Sequence, residues 1–412
     1  MLADTALNLA LLKHIPWAVF VFCLGASVGS FMNVVIYRLP LGMSLSMPPS
    51  RCPICGGRLR FFRENLPILG WLILRGSCRY CRQPIPIRYM LVELGMAIGF
   101  LGLYVVLFWS DAWAVGGDWW HVQQFAKGWP AYVAVAFCFA GLVGMTVIDA
   151  KTFMIPIQIP LFVTLAAFLL WPIQALLASP WPRVETWPIP GVSWWWFSVA
   201  ACGVIGVVIA RVLLSMGVLK WSFADYEEYV QEDEPLAEYP HARREMVVEL
   251  LYLLPVMLCV IIGGVIGMML PAGGPPVFLQ AIGASFLGYL AGAGLVWTVR
   301  ILGTFAFGRE AMGLGDVHLL GAVGAVFGWF DPILIFFIAP FIGLCWVLLT
   351  SLISAVSSQG RRELPYGPHL ALATLLLFLC RPVVHDAWSA LVPTVPMPQR
   401  ALVEPESIFL VE

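Results

Sequence analysis

The sequence predicts an all-α polytopic membrane protein, with about ten transmembrane helices and one small loop domain. Three observations lead there. Of the 412 residues, 60% are hydrophobic and only 11% are charged, against about 25% charged in an ordinary soluble domain, and the mean hydropathy is +0.88. The apolar residues fall in long runs, and a helix of roughly 20 such residues crosses a bilayer. Those runs do not alternate apolar and polar positions, which excludes the strands of a membrane barrel. Helices then satisfy the backbone in lipid. A net charge of −1 says nothing of nucleic acid.

The spans are expected near 16–37, 89–110, 130–148, 155–178, 194–216, 247–270, 278–302, 316–330, 333–355 and 367–390. The eighth is short. The chain divides into a first transmembrane helix (1–37), a four-cysteine loop (38–88), a membrane bundle (89–390) with an acidic insertion near 222–245, and a tail (391–412). Residues 111–129 read as a tryptophan-rich outer loop suited to the membrane interface. The insertion carries Asp225, Glu227, Glu228, Glu232, Asp233, Glu234, Glu238 and Glu245, and reads as a solvated connector. The tail has prolines and few charges and reads as lacking fixed structure. Small-residue pairs Gly95/Gly99, Gly288/Gly292 and Gly324/Gly328 suit close helix contacts.

Basic residues set the orientation. The loop at 38–88 holds nine arginines, and with it on the cytoplasmic side 18 of the 23 lysines and arginines lie there. Both termini are then expected outside the cytoplasm. Lys13 imitates the basic start of a signal peptide. The run ends, however, in Tyr37-Arg38-Leu39-Pro40 with no small-residue cleavage site, as a retained anchor does.

Cys52-Pro-Ile-Cys55 and Cys78-Arg-Tyr-Cys81 are two CxxC pairs separated by 22 residues. Each pair offers two sulfurs, and together they complete a tetrahedron around structural zinc. The cytoplasmic side disfavours disulfides, and no βαβ context supports a redox motif. This makes the loop a small zinc-binding cytoplasmic domain. Cys23, Cys138, Cys202, Cys259, Cys345 and Cys380 lie in or beside apolar runs and read as small packing residues.

Asp149, in Thr-Val-Ile-Asp-Ala-Lys, and Asp316, closing Gly313-Leu-Gly315-Asp316, stand where apolar runs meet polar turns. Carboxylates at such places are functional candidates. Four expected spans separate them, an even number, so both lie on one face. Either alone reads equally well as a helix cap. The pair, with two glycines that let backbone or substrate approach closely, points to acid–base chemistry. Helix polarity makes Asp316 the more acidic member and Asp149 the more frequent proton carrier. His318 reads as an interfacial histidine. Glu93, near the start of a span, is either interfacial or turned into the bundle.

Together these motifs resemble the type IV prepilin leader peptidases, membrane aspartic proteases of the GxGD type. The resemblance rests on Gly29-Ser-Phe-Met-Asn33-Val-Val-Ile-Tyr37-Arg38-Leu-Pro40, Arg51-Cys-Pro-Ile-Cys55, Glu64-Asn-Leu-Pro67, Gly76-Ser-Cys-Arg-Tyr-Cys81 and Arg88-Tyr-Met-Leu-Val-Glu93-Leu. It continues in Ile148-Asp149, Gly313-Leu-Gly-Asp316 and Pro365-Tyr-Gly-Pro368. It implies a multi-pass enzyme of the bacterial inner membrane, with its active site at the cytoplasmic face. Such an enzyme cuts a short basic leader from type IV prepilins or type II secretion pseudopilins, just before the substrate's apolar helix. Asp149 and Asp316 match the catalytic aspartates, with Gly313, Gly315 and Glu93 as support. The resemblance also implies zinc on the four cysteines and, in the N-terminal region, S-adenosylmethionine-dependent methylation of the new N-terminus.

The chain departs from that pattern in three places. Ten spans stand where about eight are usual, the added pair being 194–216 and 247–270 or their neighbours. Ile157 stands where a polar residue is frequent, and His318 where lysine or arginine is usual. Other classes compatible with membrane aspartates are a proton- or cation-coupled transporter, a non-catalytic zinc-stabilised assembly factor, and a protease without methyltransferase activity.

Overall fold

The computed structural model of the chain describes residues 2–52, 54–60, 64–109, 118–178, 189–226, 239–354 and 366–381, with residues 383, 384, 387 and 390. The helices run α1 (Leu2–Arg38), α2 (Leu69–Ile73), α3 (Arg88–Tyr104, continued by a π-helical turn Val105–Trp109), α4 (Asp118–Thr152), α5 (Gln158–Leu177) and α6 (Trp194–Ser215). Then follow α7 (Ala242–Met268), α8 (Val277–Phe307), α9 (Leu314–Phe327), α10 (Phe330–Ser354) and α11 (Gly367–Leu379). Among the described residues, eight helices are long and apolar enough to cross a membrane, and α9 and α11 are shorter apolar helices. Those eight and two fall one for one on the ten expected runs. The tail 391–412 lies outside the described residues.

One boundary differs from expectation. Residues 118–129 are not an outer loop. They are the first turns of α4, broken at Gln124, where φ is 54° and ψ 170°. Trp119, Trp120 and Phe125 turn into the core rather than toward the interface. Trp120 packs edge-on with Phe108 and with Trp119, and Phe125 with Tyr104, Phe108 and Tyr132, and this apolar burial outweighs the pull of His121 and Lys127 toward water. Helix α11 ends at Leu379, and past the turn at Cys380 residues 381, 383, 384, 387 and 390 are helical again, within the expected 367–390.

Glycine decides how closely the helices approach. On α8, a Cβ at Gly288 would overlap the carbonyl of Gly324 on α9, and one at Gly292 the carbonyl of Leu320. Ser285 Oγ adds a 2.7 Å hydrogen bond to the Ala325 carbonyl across the same seam. The pairs at 288/292 and 324/328 therefore meet as their spacing suggests. Gly95/Gly99 does not, because Gly95 has no neighbour within 4 Å and Gly99 faces only the Phe139 ring. The close contact of α1 with α3 uses α1's own glycines. A Cβ at Gly25 would lie 2.7 Å from the Met96 carbonyl, and one at Gly29 2.7 Å from Glu93 Cα. Asn33 Nδ2 ties the same pair through the Tyr89 carbonyl at 2.9 Å. Helices α6 and α7 interlock likewise, with Gly206 at Val256 and Gly267 at Trp195. Cys138 is buried as a packing residue, whereas Cys23, Cys345 and Cys380 are exposed on the outer surface of the bundle.

Gly324→Leu is expected to lower the thermal unfolding midpoint of the detergent-solubilised protein by several degrees, consistent with an overpacking cost of about 1–3 kcal/mol. Gly95→Leu should leave that midpoint unchanged.

Candidate active site and metal centre

The loop after α1 is built from two matching turns. Each CxxC pair sits in a miniature hairpin, closed by an isolated bridge between Arg51 and Arg58 or between Ser77 and Pro84. In the first, the Cys52 N–H donates to the Gly57 carbonyl at 2.9 Å and the Gly56 N–H to the Cys52 carbonyl at 3.0 Å. In the second, the Cys78 N–H donates to Gln83 at 2.8 Å and the Arg82 N–H to Cys78 at 3.0 Å. The residue after each second cysteine is left-handed, Gly56 at φ 69° and Arg82 at φ 59°. Glycine takes that conformation freely and arginine does so at a cost.

The turns face each other. All four Sγ atoms lie within 4.8 Å of one another, with Cys52 to Cys81 at 3.8 Å and Cys55 to Cys78 at 3.9 Å. A tetrahedral zinc with sulfurs at about 2.3 Å requires sulfur–sulfur edges of about 3.8 Å, so the four cysteines can hold zinc. The Cys55 and Ile54 backbone N–H groups bring the Cys52 thiol down to about 6. Cys81 is pushed up to about 12, because burial and the neighbouring sulfurs outweigh the Gln83 backbone contact that favours its ionisation. Sulfurs this close ionise together only around a cation. Glu64, buried in the same loop, accepts from the Arg60 N–H at 3.1 Å and pairs with Arg79 at 3.1 Å. Glu93 accepts from the Ile68 N–H at 2.6 Å. It thereby fixes α2 to the start of α3, on the cysteine loop.

The aspartates come together at the ends of three helices. Asp149 lies one turn before the end of α4, and Asp316 in the first turn of α9. Both are buried, at 5% and 8% exposure, and they lie within electrostatic reach of each other. The four helices α5 to α8 separate them in sequence, which returns the chain to the same end of the bundle. Asp149 Oδ2 accepts from the Gly367 N–H at 3.2 Å. Gly367 opens α11, so the Pro365-Tyr-Gly-Pro368 motif reaches the aspartates through its glycine. A Cβ there would lie 2.6 Å from Asp149 Oδ2. Ile155 bridges the site, 2.7 Å from a Cβ placed at Gly315 and 3.1 Å from one at Gly367. Gly313 likewise leaves room beside Asp316.

Three residues near Asp316 were not found as a unit by sequence. Arg300, 1% exposed, makes a bidentate pair with Glu249 at 2.9–3.1 Å. It also pairs with Glu310 and donates to the Met312 carbonyl. A charged group inside an apolar run was the available signal, for Glu249 above all. His318 is half-buried on α9.

Comparison with known proteins identifies these parts. Residues 23–107 match the bacterial peptidase A24 N-terminal domain, and residues 246–348 match the type IV leader peptidase family. The chain belongs to the type IV leader peptidase family. The four cysteines and Asp316 fall within the matched residues, and Asp149 within neither match. The second match begins at Met246, one turn into α7, whereas α6 and the acidic insertion at 222–245 lie outside both. Among relatives named prepilin leader peptidase/N-methyltransferase, that of Stutzerimonas stutzeri is 26% identical over 380 residues, 86% of this chain and 88% of its own length. That of Aeromonas hydrophila is 25% identical over 404 residues, 91% of this chain and 95% of its own. A 58% identical stretch of 78 residues in the Myxococcus xanthus relative covers 19% of this chain and only 23% of that protein. No solved structure matches the chain.

Two outcomes test these two residue clusters. Purified protein is expected to carry one zinc per chain by elemental analysis, with Cys52→Ser losing it. Gly367→Ala should reduce turnover by about 100-fold in a peptide cleavage assay, because its methyl displaces the Asp149 carboxylate.

Proposed function

We propose that this chain is a membrane aspartic endopeptidase that removes the short basic leader from type IV prepilins or type II secretion pseudopilins. The supporting observation is the juxtaposition of Asp149 and Asp316, buried together at one end of the bundle. The chain is a multi-pass inner-membrane protein, and the arginine-rich loop supports a cytoplasmic position for that end.

Two neighbouring carboxylates hold one proton between them. The ionised member takes a proton from water as the oxygen attacks the scissile carbonyl carbon. The protonated member donates its proton to the carbonyl oxygen. Collapse of the tetrahedral diol then breaks the C–N bond, with a proton delivered to the leaving nitrogen. Helix polarity assigns the proton more often to Asp149, but the Gly367 N–H donates to that same carboxylate. The two influences oppose each other, and the pair is best treated as titrating as a unit. Gly313 and Gly315 leave the approach to Asp316 open, and Glu93 acts at a distance by holding the loop.

The names of the relatives and the complete cysteine set support a second activity, methylation of the new N-terminus. S-adenosylmethionine would supply the methyl group. The four cysteines would hold zinc as a structural ion for the N-terminal region.

Incubation with a prepilin carrying a basic leader, followed by mass spectrometry, tests this reading. Wild type should release the leader, while Asp149→Ala and Asp316→Ala should each fall by about ten-thousand-fold. Cleavage by either variant at the wild-type rate would overturn the mechanism. With S-adenosylmethionine present, the product should gain the mass of one methyl group.

A further inference from the structure

The acidic insertion reads from sequence as a solvated connector, and residues 227–238 lie outside the described residues. Its two ends are built otherwise. The Phe223 and Tyr239 rings pack at 5.1 Å and the Tyr226 and Tyr239 rings stack at 5.8 Å. The Tyr239 hydroxyl donates to Asp225 Oδ1 at 2.5 Å. Glu245, only 4% exposed, accepts from the Phe223 N–H at 2.8 Å. Phe223 itself has φ 54°, a conformation that bulky residues keep only where the surroundings enforce it.

That turn presents the Phe223 ring to Arg300, whose guanidinium carbon lies 5.3 Å from the ring centroid. Arg300 is otherwise held by Glu249 and Glu310, and Glu249 also accepts from Trp297 Nε1 at 2.7 Å. The remaining Arg300 contact is the Met312 carbonyl, immediately before Gly313. Arg300 is also within electrostatic reach of Asp316. A continuous path of contacts therefore joins the insertion to the loop that carries an active-site aspartate.

We propose that Phe223 is a positioning residue: its ring fixes the plane of the Arg300 guanidinium, which through the Met312 carbonyl sets the Gly313–Asp316 loop. Two carboxylates compete for the same guanidinium. A planar cation is held by an aromatic face in one orientation, and in that orientation Nη1 reaches both Glu310 and the Met312 carbonyl. The proposal rests on the peptidase reading above, and it assigns the insertion a part in the reaction.

The test compares Phe223→Trp, Phe223→Leu and Arg300→Lys in the prepilin assay, with amide hydrogen exchange over residues 308–316. Phe223→Trp keeps an aromatic face and should retain wild-type kcat. Phe223→Leu keeps apolar bulk without that face, and should lower kcat about tenfold at unchanged KM and speed exchange in the loop. Arg300→Lys should lower kcat as well, and Phe223→Leu added to it should cost nothing further. Wild-type kcat and exchange in Phe223→Leu, or independent effects in the double variant, would overturn the proposal. Cleavage by Asp316→Ala would overturn the peptidase reading instead, and the exchange measurement would still decide the role of Phe223.

Discussion

The glycine-on-glycine seam between α8 and α9 is the constraint on which the site depends. Helix α9 has 14 residues, a length of about 21 Å, against about 30 Å of hydrocarbon. Such a helix is buried by packing against a neighbour, and Gly288, Gly292 and Gly324 let its backbone touch that of α8. The loop before it is mostly exposed, from Arg309 to Ala311 and at Gly313, and hydrogen bonds tie it back to α8. The Ala311 N–H donates to Thr304 Oγ1 at 3.1 Å and the Gly308 N–H to the Thr304 carbonyl at 2.9 Å. Arg300 satisfies the Met312 carbonyl. A buried arginine thus anchors that loop to the end of α8.

Helix α11 repeats the arrangement on the other side of the pair. It has 13 residues, and its first N–H points at Asp149. The starts of two short helices therefore converge on the two carboxylates, one donating a backbone hydrogen bond and the other carrying the second aspartate. The positive ends of both helix dipoles face the place where negative charge would develop in the proposed peptide hydrolysis.

Much of this was legible in the sequence, and what was not has a common cause. Lipid imposes length on apolar runs, so ten segments could be read and counted, and the count alone put Asp149 and Asp316 on one side. The four-cysteine cluster was legible because each CxxC is a local turn. Residues 118–129 were misread because tryptophans beside His121 and Lys127 look interfacial until a partner surface is known. The Arg300–Glu249 pair spans 51 residues and the Gly367–Asp149 contact 218. No periodicity reports contacts at such distances. Glu245 was assigned to a solvated run by composition, yet it is buried against the Phe223 backbone.

The shortness of α9 also makes the bundle a ruler. A helix about 9 Å shorter than the bilayer core leaves that depth to loop and water rather than to helix. In the proposed reaction the scissile bond meets the aspartates below the membrane surface, at a level set by a count of helical residues. The cut then falls at a fixed distance along the substrate's own helix, whatever the leader's length. The mature chain is released with its new end still at the level of the lipid.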